Sequence, residues 1–233
     1  MQSPVIVALD FPNKAQAIAL VHALGPSATS YKVGLQLLTE EGPGIVRELI
    51  AMGKEIFLDL KLHEIPNSVV GAVEAAGKLG TTMITVHASG GSAVLRAAVR
   101  AAAPFPDLKI IALTVITSLG DEDLPEIGLA PSVRAQVERL AVLAAACGCH
   151  GVVASANEAG YLVAQLPVGM LVVTPGIQLI CSGVTDQVRI ATPQVARRKG
   201  ATHIVIGRSI TQAASPLLAF QEAVAGMALA GGA

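Results

Sequence analysis

Short apolar runs recur along this chain, and each is followed by a stretch of helical character. The runs fall at 4–9, 29–33, 55–60, 82–87, 108–114, 149–154, 169–174 and 202–207. They are brief and dominated by aliphatic residues, as buried strands are. Between and after them lie Lys14–Leu24, Gly44–Met52, Ser68–Leu79, Ser92–Ala102, Val133–Ala146, Glu158–Gln165, Pro193–Lys199 and Pro216–Ala228, all of helical pattern. Strand and helix alternate throughout, with no long run of either. That order predicts parallel strands, because each parallel step needs a crossover and a helix is the usual one.

Eight such units in 233 residues predict a single-domain (β/α)8 TIM barrel occupying residues 1–233. An open doubly wound sheet is the competing arrangement, but it calls for a G-x-G-x-x-G turn after the first strand. Here that strand runs out through Ala8-Leu9-Asp10-Phe11-Pro12, without a glycine. Composition agrees with the barrel: hydrophobic residues make up 52%, aromatic residues only 3%, and there is no Trp. The core must therefore be aliphatic, as it is where helices cover a parallel sheet on both faces.

The same numbers exclude several functions. Net charge is −1 and no basic stripe marks a nucleic-acid surface. No apolar stretch is long and unbroken enough to span a bilayer. The N-terminus has no basic region before its first apolar run, so no signal peptide is read there, and a cytoplasmic location is expected. Cys147, Cys149 and Cys181 form no disulfide framework. Cys147-Gly148-Cys149-His150 has no second cluster to complete a metal site, so packing at a helix end is expected, and no metal.

Charged residues make up only 14% of the chain, yet they gather at the C-terminal ends of the strands, where barrel active sites lie. The first strand ends in Asp10, the second in Lys32, the third in Asp59 and Lys61 followed by His63-Glu64, the fourth in His87, and the eighth in Gly207-Arg208. Several have ordinary alternatives. Asp10 could cap a helix, Lys32 could be a surface lysine, and His87 could pack a loop or an interface. Gly90-Gly91 reads as a helix opening, and Asp121, Glu122 and Asp123 as a solvated loop or a helix cap. Asp59-x-Lys61-x-x-Glu64 is harder to explain away. On a strand Asp59 and Lys61 share a face, and two carboxylates beside one ammonium favour its charged form. That suits a positioned acid rather than an amine nucleophile. In Ile204-Val205-Ile206-Gly207-Arg208, Gly207 admits an anion to the backbone and Arg208 can grip it bidentately, as barrel phosphate sites do.

Leu58-Asp59-Leu60-Lys61-Leu62-His63-Glu64-Ile65-Pro66-Asn67-Ser68 resembles the Asp-x-Lys-x-x-Asp-Ile-Pro-Asn-Thr signature of orotidine 5′-phosphate decarboxylases. The resemblance runs from Val7-Ala8-Leu9-Asp10 to Gly207-Arg208-Ser209-Ile210-Thr211, through Lys32-Val33-Gly34, Val86-His87-Ala88, Thr114-Val115-Ile116-Thr117-Ser118, Thr174-Pro175-Gly176-Ile177 and Asp186-Gln187-Val188-Arg189. It implies cofactor-independent decarboxylation of orotidine 5′-monophosphate to uridine 5′-monophosphate, in pyrimidine biosynthesis. It also implies roles. Lys61 protonates C6 of the pyrimidine and Asp59 lies next to the substrate carboxylate. Asp10 and Lys32 bind the ribose and extend the charge chain. Ile65, Pro66, Asn67 and Ser68 belong to the substrate-binding motif, and Thr117 or Ser118 meets the base. Gln187, Arg208 and the Gly207 backbone hold the phosphate. The second acid comes from a partner subunit, which implies a homodimer.

Two positions depart from the family pattern. Residue 64 is Glu where the signature has Asp. Residue 178 is Gln where related sequences often carry a phosphate-binding Arg; its amide keeps a hydrogen bond and loses charge pairing. The long connections 115–132 and 175–192 follow strands and suit binding loops or lids. Three alternatives stand beside the main reading. One is a metal-dependent sugar-phosphate decarboxylase or aldolase of the same superfamily. Another is a Schiff-base aldolase, for which a lysine held between acids is a poor nucleophile. The last is a weakened relative that binds a nucleotide without turning it over.

Overall fold

The computed structural model describes residues 3–179 and 191–228; Cys181, Asp186, Gln187 and Arg189 lie outside them. Eight strands appear in order: β1 (Val5–Ala8), β2 (Ser30–Gly34), β3 (Glu55–Leu62), β4 (Met83–His87), β5 (Lys109–Leu113), β6 (Gly151–Val153), β7 (Leu171–Thr174) and β8 (His203–Ile206). Each pairs in parallel with the next and β8 closes onto β1, so the sheet is the expected barrel. Around it run α1 (Lys14–Leu24), α2 (Leu35–Glu41), α3 (Gly44–Ala51), α4 (Pro66–Leu79), α5 (Gly91–Ala102), α6 (Val133–Ala146), α7 (Ala156–Leu162), α8 (Pro193–Arg198), α9 (Arg208–Thr211) and α10 (Pro216–Ala228).

Strand alternation divides the core in two. Ile6, Ala8, Phe57, Met83, Ile111, Leu113, Val153, Val173 and Val205 fill the barrel interior. The alternate residues, such as Val5, Val7, Ile84, Ile110 and Ile204, face the helices. Both sets are largely aliphatic, with Phe57 and Met83 inside and Tyr31 among the helix-facing residues, so the strands read as largely apolar runs. Each fully buried large side chain contributes roughly 1.5–3 kcal/mol.

Local chemistry sets the helix starts. Asn13 caps α1, its side-chain oxygen accepting the Gln16 N–H at 3.0 Å, so the capping reading of Asp10 does not hold. Pro66 occupies the first turn of α4, where its missing N–H costs nothing, and the helix begins two residues before the predicted Ser68. Ser132 caps α6, and Asp121 reaches across to accept the Val133 N–H at 2.7 Å. The acidic loop residue is thus a helix cap. Gly90 and Gly91 open α5, as predicted. The sequence reading missed α2, which is only seven residues long and follows directly from β2. Cys147 and Cys149 are buried free thiols at the end of α6. Burial, with Cys147 adding to it, pushes the Cys149 thiol up to about 12.

Candidate active site

Four charged side chains from three adjacent strand ends form one continuous chain. The Lys32 ammonium lies 2.8 Å from Asp10 Oδ1 and 3.7 Å from Asp59 Oδ2. The Lys61 ammonium lies 2.8 Å from the same Asp59 oxygen. Lys32 and Asp59 are buried, each 9% exposed, so the surface-lysine reading of Lys32 fails. Burial of this kind is tolerated only because the opposite charges are paired and hydrogen-bonded. Two acids and two bases leave the cluster neutral before any substrate enters.

Asp59 and Lys61 meet, as their spacing predicted, but not by plain strand alternation. Leu58 pairs with Ile84 and Leu62 with Val86, so four residues of β3 span what two of β4 span. The surplus forms a bulge, and Lys61 adopts φ 51°, the one non-glycine residue with positive φ among those described. Such a conformation is costly for a residue bearing a Cβ, and strain of this sort concentrates at functional sites. The fully buried Thr85 of β4 spans the bulge. Its hydroxyl accepts the Lys61 N–H at 2.8 Å and donates to Asp59 Oδ1 at 3.0 Å. Sequence reasoning missed Thr85. Its signal was a hydroxyl at an inward-facing position between Met83 and His87 of β4.

Gly34 closes in on the first pair. A Cβ there would stand 3.0 Å from both Asp10 Oδ1 and Lys32 Nζ. The absence of a side chain at the end of β2 therefore makes room for the ion pair.

The cluster borders a cavity of about 760 Å³, large enough for a nucleotide-sized ligand. Asp10, Lys32, Asp59, Lys61, Thr117, Ser118, Gln178, Gly207 and Arg208 all line it. Polar residues thus surround the opening, while Ala8, Phe57, Leu113, Val153, Val173 and Val205 form its apolar floor. The Gln178 backbone is pinned by its N–H to Ala191 O at 2.9 Å. Arg208 opens the four-residue α9, directly after Gly207. Thr114, by contrast, turns away from the cavity and donates to Val153 O at 2.8 Å.

Glu64, Ile65, Pro66, Asn67 and Ser68 are not part of this cavity within the protomer. They are exposed at the start of α4, and Ile65 alone is 62% exposed. The Glu64 carboxylate accepts the neighbouring Ile65 N–H at 2.6 Å rather than meeting Lys61. The expectation of two carboxylates bracketing Lys61 therefore fails within one chain, where Asp59 alone pairs with it. His87 stacks on His63 with ring centroids 5.0 Å apart, which bears out the packing reading. Burial, then the charges of His63 and Lys61, hold His87 below the usual histidine range, against the pull of Asp59. Among the described residues no three His, Cys, Asp or Glu side chains cluster to hold a metal ion.

Fold and site define a (β/α)8 barrel with an acid–base charge chain at its C-terminal mouth, beside a cavity that also carries an arginine. Comparison with known proteins narrows this further. The model of the "Orotidine 5′-phosphate decarboxylase / HUMPS family" matches residues 3–223, and the chain belongs to that family. The orotidine 5′-phosphate decarboxylase of Sodalis glossinidius is 49% identical over 216 residues, covering 92% of this chain and 86% of that protein. That of Marinomonas sp. is 46% identical over 230 residues, covering 98% of both. The crystal structure of orotidine 5′-phosphate decarboxylase from Lactobacillus acidophilus superposes with a TM-score of 0.87 at 36% identity, covering 97% of this chain and 99% of the other.

Proposed function

We propose that this protein decarboxylates orotidine 5′-monophosphate to uridine 5′-monophosphate, without metal or organic cofactor. The observation that carries the reading is the Lys61–Asp59 contact of 2.8 Å at the cavity edge, within a family whose relatives bear that activity in their names.

The chemistry follows from the charges. The bond from C6 to the carboxylate carbon breaks, CO2 leaves, and the electron pair remains on C6. The Lys61 ammonium stabilises that developing negative charge and transfers a proton to C6; solvent then reprotonates the amine. A preorganised charge aimed at the reacting carbon is worth more in a partly desolvated site than in water. Asp59 is fixed by Lys61, Lys32 and Thr85, so it cannot swing aside when a substrate carboxylate arrives. The carboxylate therefore meets a held negative charge that CO2, being neutral, no longer feels. Asp10 and Lys32 offer an acceptor and a donor to the ribose hydroxyls, and Thr117 or Ser118 offers a hydroxyl to the base. Arg208, the Gly207 backbone, Gln178 and Gln187 bind the phosphate, remote from the bond that breaks. Binding energy spent there supports the reacting end.

Glu64 and Ile65 act in a second copy of the chain. An exposed acid and an exposed isoleucine beside the catalytic strand suit an interface better than solvent, so the protein is a homodimer with sites at the subunit boundary. No helix among the described residues is long and apolar enough to cross a membrane, which is consistent with work in the cytoplasm.

The direct test follows the loss of orotidine 5′-monophosphate absorbance, with and without chelator. Equal rates in both support the reading. No turnover of the nucleotide refutes it, and turnover lost in chelator turns it towards a metal-dependent relative.

A further inference from the structure

We propose that Thr85 is a positioning residue for the reaction, acting through Lys61 and Asp59 rather than on substrate. The inference rests on the decarboxylase reading for its kinetic arm only.

Thr85 occupies an inward-facing position of β4, in line with Met83 of the barrel interior. The interior cluster is otherwise aliphatic or aromatic, and a hydroxyl there, 0% exposed, needs partners. It has two, one bond accepted and one donated. Because the β3 backbone is bulged between Leu58 and Leu62, the Lys61 N–H has left the regular ladder. Thr85 Oγ1 replaces the missing acceptor at 2.8 Å. Having accepted there, the hydroxyl has a single hydrogen to give, and it gives it to Asp59 Oδ1 at 3.0 Å. Asp59 Oδ2 is then left for the two ammonium groups, at 2.8 Å for Lys61 and 3.7 Å for Lys32.

One buried oxygen thus ties the backbone of the acid to the carboxylate that faces it. It holds Lys61 in the left-handed conformation, φ 51°, from which its side chain turns back to Asp59. It also fixes which Asp59 oxygen is presented to the lysines. An aliphatic residue of the same shape would fill the barrel equally well and do neither.

Thr85→Val removes the hydroxyl and keeps the shape, Thr85→Ala removes it with less crowding, and Thr85→Ser retains it. Both hydroxyl-less variants are expected to lose about 30- to 100-fold in kcat, the scale for a misplaced catalytic group. KM should change less than about threefold, and Thr85→Ser should stay within about fivefold of the parent. A kcat within threefold of the parent in either hydroxyl-less variant overturns the proposal. So does equal damage in Thr85→Ser, which would assign the effect to the methyl group. A crystal structure of Thr85→Val, or of Thr85→Ala should the valine variant not fold, gives a readout independent of the reaction. Lys61 is expected to leave its left-handed conformation and its ion-pair distance from Asp59. An unchanged Lys61 backbone with the 2.8 Å contact intact overturns the proposal even if the reaction assignment stands. If the parent fails to turn over orotidine 5′-monophosphate, the reaction assignment fails and the crystallographic arm still decides the role of Thr85.

Discussion

Lys61 and Asp59, two residues apart on β3, meet at 2.8 Å across a stretch where the strand departs from regular pairing with β4. An ideal strand would carry both side chains up the same face, several ångströms apart. Here the register irregularity and the positive φ of Lys61 accompany the contact between ammonium and carboxylate. The structure therefore sets geometric precision at this point against backbone strain.

Room for the Asp10–Lys32 pair should itself matter to the reaction. Gly34→Ala places a methyl 3.0 Å from both Asp10 Oδ1 and Lys32 Nζ, and one of them must move. The expected result is a fall of roughly tenfold or more in kcat/KM with little change in thermal stability, read from steady-state kinetics and a melting curve. Unchanged kcat/KM would mean that the Asp10–Lys32 pair tolerates displacement.

Glu64 is exposed in the protomer and, among the described residues, its carboxylate bonds to its neighbour Ile65, so truncation should cost the isolated fold almost nothing. If it works across a subunit boundary, Glu64→Ala nonetheless lowers kcat by about a hundredfold or more, in the range for removal of one electrostatic stabiliser. Glu64→Asp should hold or raise activity. Sedimentation of the parent protein should give the mass of two chains. A monomer, or full activity in Glu64→Ala, would remove Glu64 from the mechanism.

Gln178 lines the cavity with Arg208, and an amide supplies a hydrogen bond without charge. Gln178→Arg should lower KM for the phosphorylated substrate by about tenfold, the scale of a charge-assisted bond. The gain should shrink as ionic strength rises. Titration of KM against salt checks both. No change in KM would place the phosphate elsewhere.

The base of the barrel carries a separate pH signature. His203 is 9% exposed. Burial first, and nearby positive charge after it, push it down from 6.5 to about 4. Between those two values the unfolded chain binds the proton that the folded one refuses. Stability therefore falls as pH drops through that window and is insensitive to this residue above it. The slope reaches at most about 1.4 kcal/mol per pH unit. Denaturant melts at several pH values should show a shallower acid-side loss in His203→Gln than in the parent.

The barrel was legible because its evidence is periodic and repeated eight times: each apolar run became a strand within a residue or two, and Lys14–Leu24, Val133–Ala146 and Pro216–Ala228 are helices as read. The site was legible as a list of residues at strand ends. Its internal geometry was not. Spacing placed Asp59 beside Lys61, but the bulge where they meet depends on the register with β4, which no local pattern encodes. Thr85 escaped notice for the same reason, since its partners are 24 and 26 residues away in the chain. Helix α2 was too short to declare a period. The role given to Asp10 as a possible cap failed because Asn13, three residues on, is the better-placed acceptor.

Lys61 is proposed to act on the transition state and to contribute little to holding the substrate. Lys61→Ala tests this most directly, with turnover of orotidine 5′-monophosphate and calorimetric binding of uridine 5′-monophosphate measured on the same sample. Loss of an acid and of its charge together predicts a fall in kcat of about ten-thousandfold or more, while product affinity stays within about tenfold of the parent. Turnover near the parent level in Lys61→Ala would contradict the account.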